Sequence, residues 1–141
     1  MRIWSVIWCL LWLTLLALPA MADDGQGESI VSVRIDQPAN GDLGEWRTKV
    51  SGTVSNSLAK IWVVVRPLET RDFWVQPRTT VEANGEWETL IYLGGEDSSH
   101  AGKIFDVQAI ANPEYPLNEG LILPGWPRAE GKSNVVRVVR K

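Results

Sequence analysis

Short runs in which apolar and polar residues alternate one by one, each closed by turn-forming residues, constrain this chain more than any other feature. Val31, Val33 and Ile35 alternate with Ser32, Arg34 and Asp36, and the run ends at Pro38, Asn40 and Gly41. A period of two buries one face of an extended strand, whereas a helix would need apolar residues three and four apart. Lys49 to Val54 alternates again and closes at Asn56-Ser57; Ile61 to Val65 is nearly all β-branched, and Phe73 to Val75 follows after a turn over 67–72. Such residues favour the pleated backbone because their stiff side chains pack well across it. Pro77 lacks the N–H a ladder needs, so it marks a bend or an edge.

The segment Val81-Glu82-Ala83-Asn84-Gly85-Glu86-Trp87 signals a hairpin, with Gly85 able to take positive φ. Val81 and Ala83 share a face with Trp87, Thr89, Ile91 and Leu93 only if an odd number of residues joins the two strands, which predicts a bulged turn. Phe105, Val107, Ala109 and Ala111 form another inward set, and Val135 to Val139 supplies the last strand. No long stretch has helical period. The expectation is therefore all-β: an antiparallel sandwich of about seven strands over residues 30–141.

These residues carry a resemblance. Val33-x-Ile35-x-x-Pro38-x-x-Gly41, then Trp46, then Val50-x-Gly52-x-Val54, resembles the first two strands of the immunoglobulin-like domains of exported bacterial proteins. The Gly85-x-Trp87 hairpin and Gly102-x-x-Phe105-x-Val107-x-Ala109 are similar to their second half. The resemblance implies an immunoglobulin-like β-sandwich and no shared catalytic residues, and fold alone does not fix function. The cysteine pair of antibody domains is absent.

The N-terminus adds a destination. Met1-Arg2, an apolar stretch from Ile3 to Leu18, and Pro19-Ala20-Met21-Ala22 have the three parts of a secretory signal, with Ala20 and Ala22 forming an A-x-A cleavage site. Cleavage after Ala22 removes residues 1–22 and leaves 119 residues, destined for the periplasm or the medium and with no stable membrane span. Residues 23–29, acidic and glycine-rich, read as a flexible leader whose carboxylates match no calcium loop. The chain's single cysteine, Cys9, leaves with the signal, so a disulfide framework, a thiolate zinc site and a cysteine nucleophile are excluded from the exported part. Loss of Arg2 leaves 13 basic against 17 acidic residues, a formal net charge of −4, with no basic run to attract nucleic acid.

Chemistry-bearing motifs are absent. His100, the lone histidine, lies in a glycine-rich polar stretch after Gly94-Gly95 that reads as a strand-to-strand loop. No paired-histidine motif, nucleophile elbow or phosphate-binding loop accompanies it, so neither metal, cofactor nor catalytic residue is expected. A small hydrolase using His100 and nearby acids is the least favoured reading.

Tryptophan is the unusual component. Eight are present, and five, at 46, 62, 74, 87 and 126, remain after cleavage. Trp87 belongs to an inward set, and Trp46 is expected to pack at the start of the second strand. Alternation places Ile61, Val63, Val65, Phe73 and Val75 inside, and Trp62, Trp74 and Gln76 outside, so that the two indoles share one exposed face; a flipped strand would instead put Trp62 in the core. The connection over residues 112–134 holds Tyr115, Leu121-Ile122-Leu123, Trp126 and Arg128, too apolar for a solvated linker. It either covers a sheet edge or barrel end, or presents Tyr115, Trp126 and Arg128 to a partner. Residues 56–59 belong at the same end as that connection, and His100 at the other. The functional expectation is a non-enzymatic exported module recognising a protein or surface polymer, with Tyr115, Trp126, Arg128, Trp62 and Trp74 as candidate contacts. The alternative is a carbohydrate-binding module that stacks sugars on exposed tryptophans.

Overall fold

The computed structural model describes residues 30–141; the cleavage site at Ala20 and Ala22 and the leader lie outside the described residues. Eleven strands form two sheets. In the first, β1 (Val33–Gln37), β3 (Arg47–Val54), β7 (Glu86–Tyr92) and β6 (Thr80–Val81) lie side by side in that order, all antiparallel. In the second, the order is β2 (Asp42–Gly44), β11 (Val136–Arg140), β8 (Ile104–Pro113), β4 (Ile61–Pro67), β5 (Phe73–Val75) and β9 (Ile122–Leu123). β2 runs parallel to β11, and the other neighbours along this order are antiparallel. β10 (Ala129–Lys132) pairs with the C-terminal half of β8 and β11 with its N-terminal half. Ser133 bridges the break between them: its hydroxyl accepts the Ala109 N–H at 2.8 Å and its carbonyl accepts the Gln108 side-chain amide at 2.8 Å.

The two sheets pack face to face. Val33, Ile35, Val50, Trp87 and Ile91 from one meet Ile61, Val63, Val65, Phe105, Val107 and Val138 from the other in a single buried cluster. These are the inward sets that the alternation picks out, because successive strand residues point to opposite faces. The hairpin also follows the face argument: Val81 pairs with Trp87 across a three-residue turn, with Gly85 at φ +85°, although Ala83 is exposed in the turn.

A second apolar cluster lies on the other face of the larger sheet. Val64, Phe73, Val75, Ile110 and Leu117 are buried there, with Trp62, Leu123, Trp126 and Ala129 half-buried against them. The segment over residues 114–128 builds this cluster, crossing the outer face and adding β9 to the edge strand β5. It thereby covers a sheet face and edge, and the connection expected over residues 112–134 is not a structureless loop: β8 extends to Pro113, and β9 and β10 occupy parts of it.

This second cluster keeps Trp62 on the outer side, though half-buried, and corrects the expected face of Trp74. Val65, which belongs to the main core, pairs with Trp74, so Trp74 lies on the face directed at the other sheet. Phe73 and Val75 are inside, but in the outer cluster, and Trp62 is on that same outer face. The two indoles are on opposite faces. Gln76, expected outside, is buried and ties the sheets together. Its N–H donates to the Val63 carbonyl at 2.9 Å, and its Oε1 accepts the Tyr92 N–H at 2.8 Å.

Candidate functional site

Of the candidate contacts on the long connection, Trp126 is committed to packing. Its ring meets Phe73 edge-on, with centroids 4.8 Å apart and planes at 76°. Trp62 is half-buried in the same cluster. Tyr115 is 71% exposed, and Arg128 stands on a shallow depression beside Glu114, Glu130 and Lys132. The Glu114 N–H donates to the Arg128 carbonyl at 2.9 Å, so this backbone pair closes the base of the crossing segment. Neither Tyr115 nor Trp126 lines that depression, so the three residues do not converge on it. As expected, residues 56–59 are at this end: the Lys60 N–H donates to Asn112 Oδ1 at 2.8 Å, and the Asn112 N–H to the Lys60 carbonyl at 2.9 Å. A broad depression of about 850 Å³ here carries the exposed Leu58, but its one aromatic ring, Trp62, is occupied in the outer cluster.

Trp74 is placed differently. It stands at the flank where the sheets part and lines a cleft of about 440 Å³. Val65 and Phe105 form the floor, Trp74, Tyr92, Pro67 and Pro77 the walls, and Glu69, Asp72, Glu119 and His100 the polar margin; Val75, whose side chain faces the outer cluster, borders the cleft through β5. Trp74 and Tyr92 are 40% and 38% exposed, so both offer ring surface to a ligand. Tyr92 is held from behind: its ring lies 5.7 Å from that of Trp46, and the Arg47 guanidinium is 5.8 Å from its centroid.

The cleft forms because several separate stretches of chain meet. The β4–β5 turn supplies Glu69 and Asp72, the end of β7 supplies Tyr92, and the crossing segment supplies Glu119 and Gly120. Backbone bonds fix that last stretch along β5, with the Gly120 N–H donating to the Val75 carbonyl and the Val75 N–H to the Leu121 carbonyl, both at 2.9 Å. His100 and the long connection were expected at opposite ends, but the connection runs down the flank and reaches the cleft that His100 lines.

His100 ends a single 3₁₀ turn, Ser98–His100, capped by Asp97. The Asp97 carboxylate accepts the Ser99 hydroxyl and the Ser99 N–H, and these bonds, the hydroxyl first, hold its pKa below the usual 3.8. The imidazole lies against Gly94, where φ is +79° and a Cβ would stand 2.5 Å from Nδ1, so only glycine leaves the ring this seat. Buried Arg140 donates to the Gly95 carbonyl at 3.1 Å, fastening the loop to the last strand. Among the described residues, no three His, Cys, Asp or Glu side chains are grouped to hold a metal ion, and no helix is long and apolar enough to cross a membrane.

No protein-family model matches the chain, and no curated protein matches it. The site thus rests on its geometry. Sequence reasoning set Gln76 on the same face as Trp74 but missed Tyr92 and the three acids as its companions. Tyr92 and Glu119 lie in other segments, and nothing in the local spacing marks their convergence.

Proposed function

We propose that this chain is an exported, non-enzymatic recognition module of immunoglobulin-like type whose ligand site is the Trp74–Tyr92 cleft. The observation that carries the reading is the pair of part-exposed aromatic rings on an apolar-floored cleft. Aromatic anchors in pockets generally dominate binding surfaces, and a cleft of this size falls in the range of small-ligand and side-chain pockets. The sheet orders β1-β3-β7-β6 and β2-β11-β8-β4-β5-β9 support the immunoglobulin-like part, because a four-strand sheet packed on a sheet centred on three antiparallel strands, β11-β8-β4, is what such domains would give. The N-terminal signal pattern supports export. The module would hold a polypeptide or surface polymer without transforming it.

A photo-crosslinking residue in place of Glu69, introduced in cells that make the protein, tests this directly. An adduct with one recurrent envelope component, lost when Trp74→Ala is added, is expected. Adducts that persist unchanged in the Trp74→Ala background would place the site elsewhere.

A further inference from the structure

Below the Trp74 indole N–H, the Tyr92 hydroxyl and the His100 ring at its walls and margin, the cleft has little hydrogen-bonding capacity to spare. Val65 and Phe105 on its floor are almost fully buried carbon. Gln76 is spent: its Oε1 accepts from Tyr92, and its side-chain amide donates to the Trp74 carbonyl at 3.2 Å. The Thr70 hydroxyl accepts the Asp72 N–H at 3.2 Å and donates to the Pro67 carbonyl at 3.4 Å. A sugar pressed into this interior would bury hydroxyls against carbon, and unpaired polar groups are costly to bury. The interior instead suits a hydrocarbon stem.

The margin is negative. Three carboxylates line the cleft, and no lysine or arginine does. Lys103 Nζ pairs with Glu69 at 2.8 Å, but Asp72 and Glu119 make no ion pair among the described residues, and Arg71, beside Asp72 in the sequence, pairs with neither. Aromatic ring faces attract cations as well. The chain already shows this pairing elsewhere, with the Arg66 guanidinium 5.6 Å from the Phe73 centroid on the outer face, and at the cleft wall with that of Arg47 5.8 Å from Tyr92.

Taking the cleft as the binding site, we propose that its occupant is an arginine or lysine side chain of a partner polypeptide. The aliphatic stem lies on the apolar floor, as long basic side chains do on apolar surface. The charged head sits between the Trp74 and Tyr92 rings and the carboxylates of Asp72 and Glu119. An anionic polymer is repelled by the same margin, and a neutral one leaves the two carboxylates without a counter-charge.

The test titrates the purified protein with blocked pentapeptides carrying one central arginine or lysine, or their neutral counterparts citrulline and norleucine, following the Trp74 indole and His100 by NMR. Both basic peptides are expected to shift these signals. Binding should weaken roughly tenfold on replacement by citrulline or norleucine, and by a similar factor in the Asp72→Asn, Glu119→Gln variant. Equal binding of the basic and neutral peptides would overturn the proposal while leaving the cleft as a binding site. So would neutral tetrasaccharides that shift Trp74 where the basic peptides do not. If neither peptide nor saccharide moves Trp74 or His100, the ligand class and the cleft reading fall together.

Discussion

The outer face of the larger sheet and the flank beside Trp74 are both rich in aromatic and apolar residues, yet they use them in opposite ways. On the outer face, the segment over 114–128 brings its own Leu117, Leu123 and Trp126 to cover Val64, Phe73, Val75 and Ile110. The rings packed in that cluster, Trp62, Phe73 and Trp126, are each at least half-buried. On the flank nothing comparable among the described residues covers Trp74 and Tyr92, and their margin carries charge rather than hydrocarbon. Tryptophan content therefore measures apolar surface without saying whether the chain itself or a ligand covers it. The covering segment decides that.

The largest effect separates the main core from both regions. Val107→Asp puts a charge with no counter-ion among fully buried side chains, and the domain is expected to be unfolded, with its β-type circular dichroism lost at room temperature. Leu117→Ala attacks the covering segment alone. Its side chain is 7% exposed, and truncation is expected to cost about 2–3 kcal/mol by chemical denaturation. Because Leu117 does not line the cleft, binding by the folded protein should be unaffected.

A third variant asks whether the outer face is also held by charge. The Asp106 carboxylate, in a buried residue, bonds Arg66 at 3.0 Å and Arg137 at 3.0 Å. Asp106→Asn leaves both guanidinium groups facing an amide. A loss of about 1–2 kcal/mol is expected, less than for a fully buried pair because Arg137 is half-exposed. Urea melts of the two proteins at equal ionic strength measure it.

The division between legible and illegible residues follows from the same comparison. The main core was legible because period-two alternation names a strand's buried face whatever it pairs with. The outer cluster left a weaker mark. Val63-Val64-Val65 and Ala109-Ile110-Ala111 are continuous apolar runs, the pattern of strands buried on both faces. Reading those runs as one-sided assigned Phe73 and Val75 to the main core and put Trp74 beside Trp62. Trp126 was legible as an apolar anomaly in a long connection, but its role depends on Phe73, more than fifty positions away. The cleft was hardest to see, because it exists only where strand ends and turns far apart in sequence meet.

A smaller and local effect concerns the loop that seats His100. Asp97 is held below its ordinary pKa of 3.8 by its bonds from Ser99, so its ionised form favours the folded loop. A depressed carboxylate adds stability that is complete above its unfolded pKa and is lost as pH falls through the lower folded value. Faster amide exchange at Ser99 is therefore expected only below about pH 3.8, with little change in the rest of the domain. Asp97→Ala should produce the same fast exchange at neutral pH.

The most direct test of the contrast between a covered face and an open flank is the melting of Trp126→Ala against Trp74→Ala, measured side by side. Trp126→Ala removes half-buried packing on Phe73 and is expected to cost about 2–3 kcal/mol, lowering the melting temperature by roughly 8–12 °C for a domain of this size. Trp74→Ala removes a part-exposed ring from the cleft, and it should melt within about 3 °C of the parent, a stability change well under 1 kcal/mol. The reverse order, with Trp74→Ala melting far below Trp126→Ala, would contradict the account. The flank ring would then belong to the packing of the fold, and the covering segment would be the part free to bind.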